Sequence, residues 1–368
     1  MCYPYELVRR GISNCINLMM ICDCMRVFDN VSDMIAYIAA DTSDGLGNSL
    51  KVIPEWFDTL FVNEMEVINK IYCENEEFFK TAKPQDIVKH EFYYRSNTMY
   101  HLIFGIITNS IVPIGKYLSQ YVVPFLDRLY LMKDVCKLGN IYPDLVYMHI
   151  AKTPMDRLVI EDVLANLLHN DQIFNTPHGI RVQMTFFEKF YSQKMFLLRQ
   201  DEKLEILNYF VDNLYNAKSS EVRMKSSEVL SGIIHTISLH ENGNLDQVIT
   251  KLITKFETKL GADLKLKEKQ KIIKGNPKNV IEIHGSIIGL GALIAAFPYI
   301  SPLPKWIPQV LSNLSSWAKV SGIVGSSSKD IISNFKKIRS DTWHIDRESF
   351  TTDELENLEG VNWRSYYA

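Results

Sequence analysis

Cysteine is scarce and unevenly placed. Six occur in 368 residues, and none follows Cys136. A secreted disulfide framework would not be so lopsided in a chain of this size, so the thiols read as reduced, mostly on helices, in a cytosolic or nuclear protein. Cys22 and Cys24 are the one close pair, with no second pair or nearby histidine to complete a zinc site. Charge of one sign is nearly absent as well. Forty Lys and Arg stand against 43 Asp and Glu, a net charge of -3. No global field therefore points to nucleic acid or a membrane surface. Long apolar runs are missing too. The best, "GSIIGLGALIAAFPYISPLP", is too short and glycine-rich in its helical part and is ended by prolines, so no transmembrane segment is expected. Near the start, "RRGISNCINLMMICDC" has an arginine pair before an apolar run. Asn14 and Asn17 interrupt that run and no small-residue cleavage site follows, which favours an amphipathic helix over an export signal.

Catalytic signatures are equally thin. "GLGALI" at Gly289 lacks the third glycine of a dinucleotide fingerprint and follows no strand. "GIVGSSSKD" has no Gly-Lys-Ser/Thr step. "HENGN" has no second histidine. "DTSDGLGNSLKV" puts Leu46 where a calcium loop needs glycine and Val52 where it needs glutamate. No Gly-x-Ser-x-Gly elbow occurs. The sequence thus nominates no catalytic, metal-binding or cofactor-binding residue, and no enzyme is expected. His284, on an apolar helix, reads as a core histidine whose ring nitrogens are satisfied rather than as a ligand.

What is present is helical period along nearly the whole chain. In "SSEVRMKSSEVLSGIIHTIS", Val222, Val229, Leu230, Ile233, Ile234 and Ile237 share one face. From Val8, the apolar positions Cys15, Ile16, Met19 and Met20 repeat the offsets of that helix, and both helices open with Val-Arg. A weaker third copy starts at Val280, with Ile281 in place of the arginine. Degenerate helices of this kind, joined by short Pro, Asn, Gly and Ser breaks, mark an all-α solenoid of HEAT-like repeats. At roughly 40–47 residues each, about eight would fit. The segment "MCYPYELVRR" reads as the middle of such an array rather than a polar capping repeat, so further repeats are expected to precede it.

Residues 280 to 297 are apolar almost all round, as in a helix buried on most sides. Gly285 and Gly289, one turn apart, each cost about 1 kcal/mol in a helix interior, which points to close approach of a neighbouring helix. Pro304 or Pro308 then starts the next helix, with Ile307, Val310, Leu311 and Leu314 as its buried stripe. The last part is organised separately, which suggests an array over residues 1–343 followed by 344–368. There Thr351 and Glu354 form a capping box, Phe350 and Leu355 are spaced as a staple, and Gly360 suits the position after the helix. Val361 to Ala368 show no helical pattern and read as a tether with an aromatic tip, able to span roughly 25 Å when extended.

One charge cluster stands out. Lys265, Lys267, Lys269, Lys271 and Lys274 lie in "KLKEKQKIIK", with further lysines on either side. They are a solvated helix face, a nuclear import signal, or a patch for acidic ligands.

The ending resembles a known family. "IHGSIIGLGALIAAFPYISPLPKWIPQVLSNLSSWA" and "NFKKIRSDTWHIDRESFTTDELENL" followed by Tyr-Tyr-Ala are similar to the C-terminal end of the large, single-chain HEAT-repeat proteasome activators. The matching steps are Phe297-Pro298-Tyr299, then Pro304, Trp306, Ile307 and Pro308, then Phe335, Lys336, Lys337, Asp341 and Trp343. The resemblance covers residues 282 to 368, while earlier residues fit as generic HEAT-like helices. It implies an ATP-independent regulator that caps the 20S proteasome core particle. A hydrophobic-Tyr-any tail would enter a pocket between α subunits and influence gate opening, with Tyr366 as the hydrophobic position, Tyr367 as the motif tyrosine and the Ala368 carboxylate as partner of a pocket lysine. It further implies the remaining N-terminal repeats of the same activator and acetylated histones as partners, roles in histone turnover and DNA repair, and a nuclear and cytoplasmic location. No membrane and no direct nucleic-acid partner is expected. The competing reading is a general HEAT scaffold, such as a transport receptor, in which the tail is incidental.

Overall fold

The computed structural model describes residues 2–25, 53–109, 115–153, 155, 157–168, 176–240, 245–261 and 264–361. Among them every regular element is a helix and none is a strand, the all-α repeat architecture that the periodicity implies. The chain divides into two compact units, Met1–Gln193 and Lys194–Ala368.

In the first unit the principal helices are α1 (Glu6–Met25), α2 (Glu55–Glu74), α3 (Glu91–Asn109), α4 (Val123–Leu131), α5 (Pro143–Ile150), α6 (Arg157–Leu168) and α7 (Pro177–Lys194). Helix α3 is the centre, packed against α1, α2 and α5. Helix α1 turns Ile16 and Met20 inward, but Cys15 and Met19 face solvent. Its inward face is instead completed by polar groups, Arg9, Ser13 and Asn17. Aromatic side chains fill the core: Phe61 lies against Phe57 and Tyr117, whose hydroxyl donates to Asp58 at 2.6 Å. Among the described cysteines all are free thiols, and Cys136 is buried.

The second unit contains α8 (Gln200–Asn216), α9 (Ser220–His240), α10 (Leu245–Leu260), α11 (Leu266–Gly275), α12 (Pro277–Ala295), α13 (Trp306–Ala318), α14 (Ile323–Ile338) and α15 (Thr352–Glu359). Every residue of α12 from Ile283 to Ile294 is buried, because α8, α9, α10, α11, α13 and α14 all pack on it. This is the one described helix long and apolar enough to cross a membrane, and its surroundings identify it as the core of the unit. Its start is fixed by Asn276, whose side chain accepts the Lys278 N–H, with Pro277 at the first position. Helix α13 begins at Trp306, between the two prolines expected to start it, and buries all four residues of its anticipated stripe.

The glycines on α12 are explained by their neighbours. A Cβ on Gly285 would fall on the carbonyl of Leu214 in α8, and one on Gly289 would lie 2.6 Å from the Phe256 ring of α10. Gly285→Ala gains about 1 kcal/mol of helix propensity. It must also displace a neighbouring backbone, and overpacking of that kind costs about 1–3 kcal/mol. Because the obstructing atoms are backbone rather than a flexible side chain, the cost falls at the top of that range, and chemical denaturation of the variant should show a net loss of about 2 kcal/mol. A variant as stable as the parent would mean that the two helices separate without penalty.

Candidate functional site

The tail nominated by sequence, Tyr366, Tyr367 and Ala368, lies outside the described residues. The structure does show what holds its base. The Thr351 N–H donates to Glu354 Oε2 at 2.8 Å and the Glu354 N–H donates to Thr351 Oγ1 at 3.3 Å, the reciprocal capping box expected at the start of α15. Phe350 is buried and packs edge-on against Trp343. The buried residue of α15 is Leu358, not Leu355. Gly360 occupies the C-cap, with a right-handed φ of -68° rather than the left-handed conformation glycine often supplies there. Val361 is 3% exposed. Val361, which the sequence pattern assigns to the tether, therefore belongs to the anchor. Helix α15 rests on α13, with Asn357 Nδ2 donating to Ser312 Oγ at 3.2 Å.

The segment before this helix holds a buried ion pair. Arg339 Nη1 donates to Asp346 Oδ1 at 3.2 Å, and the Thr342 hydroxyl donates to Asp346 Oδ2 at 2.7 Å. Arg339 Nη2 donates to the carbonyls of Phe297 and Ile300 at 3.2 and 2.7 Å. One guanidinium thus ties the Phe-Pro-Tyr turn to the Asp-x-Trp segment, two of the stretches that carried the family resemblance. On the same side Lys336 Nζ lies 5.3 Å from the Trp343 ring centroid, and burial lowers its pKa while Glu359 opposes that shift.

The lysine cluster is only partly a patch. Lys265, Lys267, Lys271 and Lys274 are exposed. Lys269 is 2% exposed, donates to Ser316 Oγ at 2.5 Å, and holds its ammonium 4.8 Å from the Trp317 ring centroid. It anchors α11 to α13 and is not available to an acidic ligand. Helical spacing explains the difference: Lys269 shares the inward face of α11, while its neighbours in sequence point outward.

His284 is a satisfied core histidine, as read from sequence. Arg223 Nε donates to its Nδ1 at 3.1 Å, and Nε2 lies 3.0 Å from Ser327 Oγ. Because Nδ1 accepts, the ring is neutral and its proton is on Nε2. Burial, then the Arg223 charge, pushes its pKa down to about 4.

The first unit holds the residue types of a thiol enzyme in one cavity of about 250 Å³, lined by Cys136, His178 and Asp144 among others. The Cys136 thiol donates to the Leu129 carbonyl, and burial pushes its pKa up to about 12. That is the opposite of an activated nucleophile. His178 Nε2 instead pairs with Asp144 at 3.1 Å.

Residues 280–368 match the family described as proteasome activator complex subunit 4-like, C-terminal. Over 370 aligned residues the chain is 36% identical to Proteasome activator BLM10 of Saccharomyces cerevisiae, covering 100% of this chain and 16% of that protein. It is 27% identical over 185 residues to Proteasome activator complex subunit 4 of Homo sapiens, covering 48% of this chain and 9% of the human protein. A similar stretch, 24% identical over 184 residues and covering 50% of this chain, aligns with 10% of Proteasome activator subunit 4 of Arabidopsis thaliana. The chain thus spans a small fraction of each of these relatives.

Proposed function

We propose that this chain, which belongs to the proteasome activator family and matches its C-terminal model over residues 280–368, acts as a proteasome regulator whose last residues dock on the 20S core particle. The observation that carries this reading is the anchored α15. Its capping box, buried Leu358 and buried Val361 hold the start of a tail that ends in Tyr366, Tyr367 and Ala368. A free carboxylate can make a charge-assisted bond to a pocket lysine. A tyrosine buries a large ring and keeps a hydroxyl for a backbone partner. In this reading the receiving surface is a pocket between α subunits, and docking biases the gate. The exposed members of the lysine cluster and the acetylated-histone partnership are secondary to this role.

The test uses purified core particles and the full 368-residue chain. Binding is followed by interferometry and gate opening by fluorogenic-peptide hydrolysis. Tyr367→Ala is expected to weaken binding about 10- to 100-fold, from the 1.5–3 kcal/mol of a buried ring. A tail peptide carrying a C-terminal amide should fail to compete where the free acid competes. Unchanged binding by Tyr367→Ala would remove the docking role and leave the general scaffold reading in its place.

A further inference from the structure

Helices α9, α12 and α14 enclose a channel of about 290 Å³ on the second unit. That is at the small end for a ligand pocket, and suits one or two side chains rather than a cofactor. Its floor is α12, where Ile288, Ala292 and Ala295 present an apolar strip at helical spacing. Gly291 lies in the same strip, and a Cβ there would come within 2.6 Å of Ile331. The flanking helices supply charge. Glu228 comes from α9 and Asp330 from α14, and among the described residues no lysine, arginine or histidine lines the channel.

These carboxylates are available. The Asp330 side chain is exposed and has no hydrogen-bond or ion-pair partner among the described residues. Glu228 keeps 69% of its side chain exposed and, among the described residues, pairs with Lys225 of its own helix at 3.4 Å, which leaves Asp330 as the uncompensated charge. The apolar floor is tied to the α9 wall. Ser227 Oγ donates to the Ile288 carbonyl at 2.7 Å, and His235 Nδ1 contacts the Ala296 carbonyl at 2.8 Å, both joining α9 to α12.

We propose that this channel is a docking groove for a peptide segment of another protein that carries a lysine or arginine beside apolar residues. The aliphatic stem of the basic side chain lies on the Ile288, Ala292 and Ala295 strip, as long cationic side chains do on apolar surface. Its head sits between Glu228 and Asp330. Charge complementarity selects this occupant over others. An acidic segment would meet two carboxylates, of which only Glu228 has a cation beside it, Lys225, while Asp330 has none; a purely apolar segment would leave the Asp330 charge unused. This inference does not depend on where the chain's own tail binds.

The test uses the full chain with methyl-labelled Met and Ile and two blocked pentapeptides, Ala-Leu-Lys-Leu-Ala and the same peptide with norleucine in place of lysine. The lysine peptide should shift the methyl signals of Met224, Ile288 and Ile331 saturably, and bind at least fivefold tighter than the norleucine peptide. Asp330→Asn should weaken it about fivefold, as expected for one solvated pair near 4 Å, and Asp330→Asn with Glu228→Gln by about 20-fold. Both are exposed substitutions, and unchanged circular dichroism checks that the helices persist. Equal affinity for the two peptides, shifts that avoid the channel, indifference to both substitutions, or no binding would each overturn the proposal.

Discussion

Arg223→Ala should remove about 3–4 kcal/mol of stability from the second unit, the largest effect expected of any single substitution considered. Arg223 is 4% exposed on the first turn of α9. Its Nη1 donates to the carbonyls of Ala217 and Lys218 at 2.7 and 3.0 Å, and its Nε donates to His284 Nδ1 at 3.1 Å. Truncation therefore leaves three acceptors without their donor at once. A buried group left unsatisfied costs about 1–3 kcal/mol, so three acceptors set a gross cost of about 3–9 kcal/mol. The loss of a buried cation returns part of this. Arg223→Lys should recover less than half, because an ammonium cannot supply the two-sided fork that spans the loop and the ring. Four of the five tryptophans, Trp306, Trp317, Trp343 and Trp363, belong to the second unit and Trp56 to the first, so equilibrium urea denaturation followed by tryptophan emission reports mainly on the second. Hydrogen exchange of α9 and α12 localises the effect. A loss below about 1 kcal/mol would show that water replaces the guanidinium at little cost.

The same device occurs in the first unit. Arg9 Nη1 donates to the carbonyls of Tyr3 and Pro4 at 2.7 and 2.8 Å, and its Nε donates to Asn97 Oδ1 at 2.9 Å. In both units the acceptors lie six and five residues before the arginine, and the third acceptor is a side chain on the helix packed against it. The sequence announced this repeat as paired Val-Arg steps with matching apolar offsets, but not what it does. Amphipathic periodicity assigns an arginine to the wet face. In fact Arg9 and Arg223 point inward, because the carbonyls of the segment just before each helix need a donor that local backbone does not provide. No count of apolar positions carries that information. The cost appears elsewhere in α1, where Cys15 and Met19 are left in solvent although the pattern placed them inside.

Other parts were legible for equally specific reasons. The capping box at Thr351 and Glu354 depends on residues three apart, so sequence alone determines it. The glycines of α12 were readable because glycine in a helix is costly without a close neighbour; which neighbour, Leu214 or Phe256, is a tertiary fact. Lys269 shows the reverse case. Counted in sequence it belongs to a basic run; placed on α11 it is the residue that points at Trp317. The channel between α9, α12 and α14 went unread because Glu228, Ile288 and Asp330 are far apart in the chain and share no motif. The docking role proposed for the tail rests on its chemistry and its family resemblance, and its assigned residues lie outside the described part of the chain.

Acid should destabilise the second unit by about 3 kcal/mol between pH 6.5 and 4 through His284 alone. The imidazole is fully buried, its Nδ1 faces the Arg223 guanidinium, and its Nε2–H is directed at Ser327. Protonation would set two donors and two positive charges against each other, which is why its pKa falls from 6.5 in an open chain to about 4 here. The unfolded chain thus binds a proton that the folded chain refuses. The stability from keeping this ring neutral is complete above pH 6.5 and is lost progressively as pH falls through that window toward 4. In the first unit the groups oppose one another. His101 and His149 are lowered by burial and act in the same direction as His284. Burial raises Asp127, beside Tyr147, to about 6, which favours the folded state as pH falls below that value. His284→Gln supplies an oxygen to accept from Arg223 and an amide to face Ser327 without a titrating ring. It should flatten the acid limb of the second unit, read by tryptophan emission in urea titrations at stepped pH, while leaving stability at pH 7.5 within about 1–2 kcal/mol of the parent, the range for one altered hydrogen bond. An acid limb of the same steepness in His284→Gln would assign the loss to surface charge rather than to this ring.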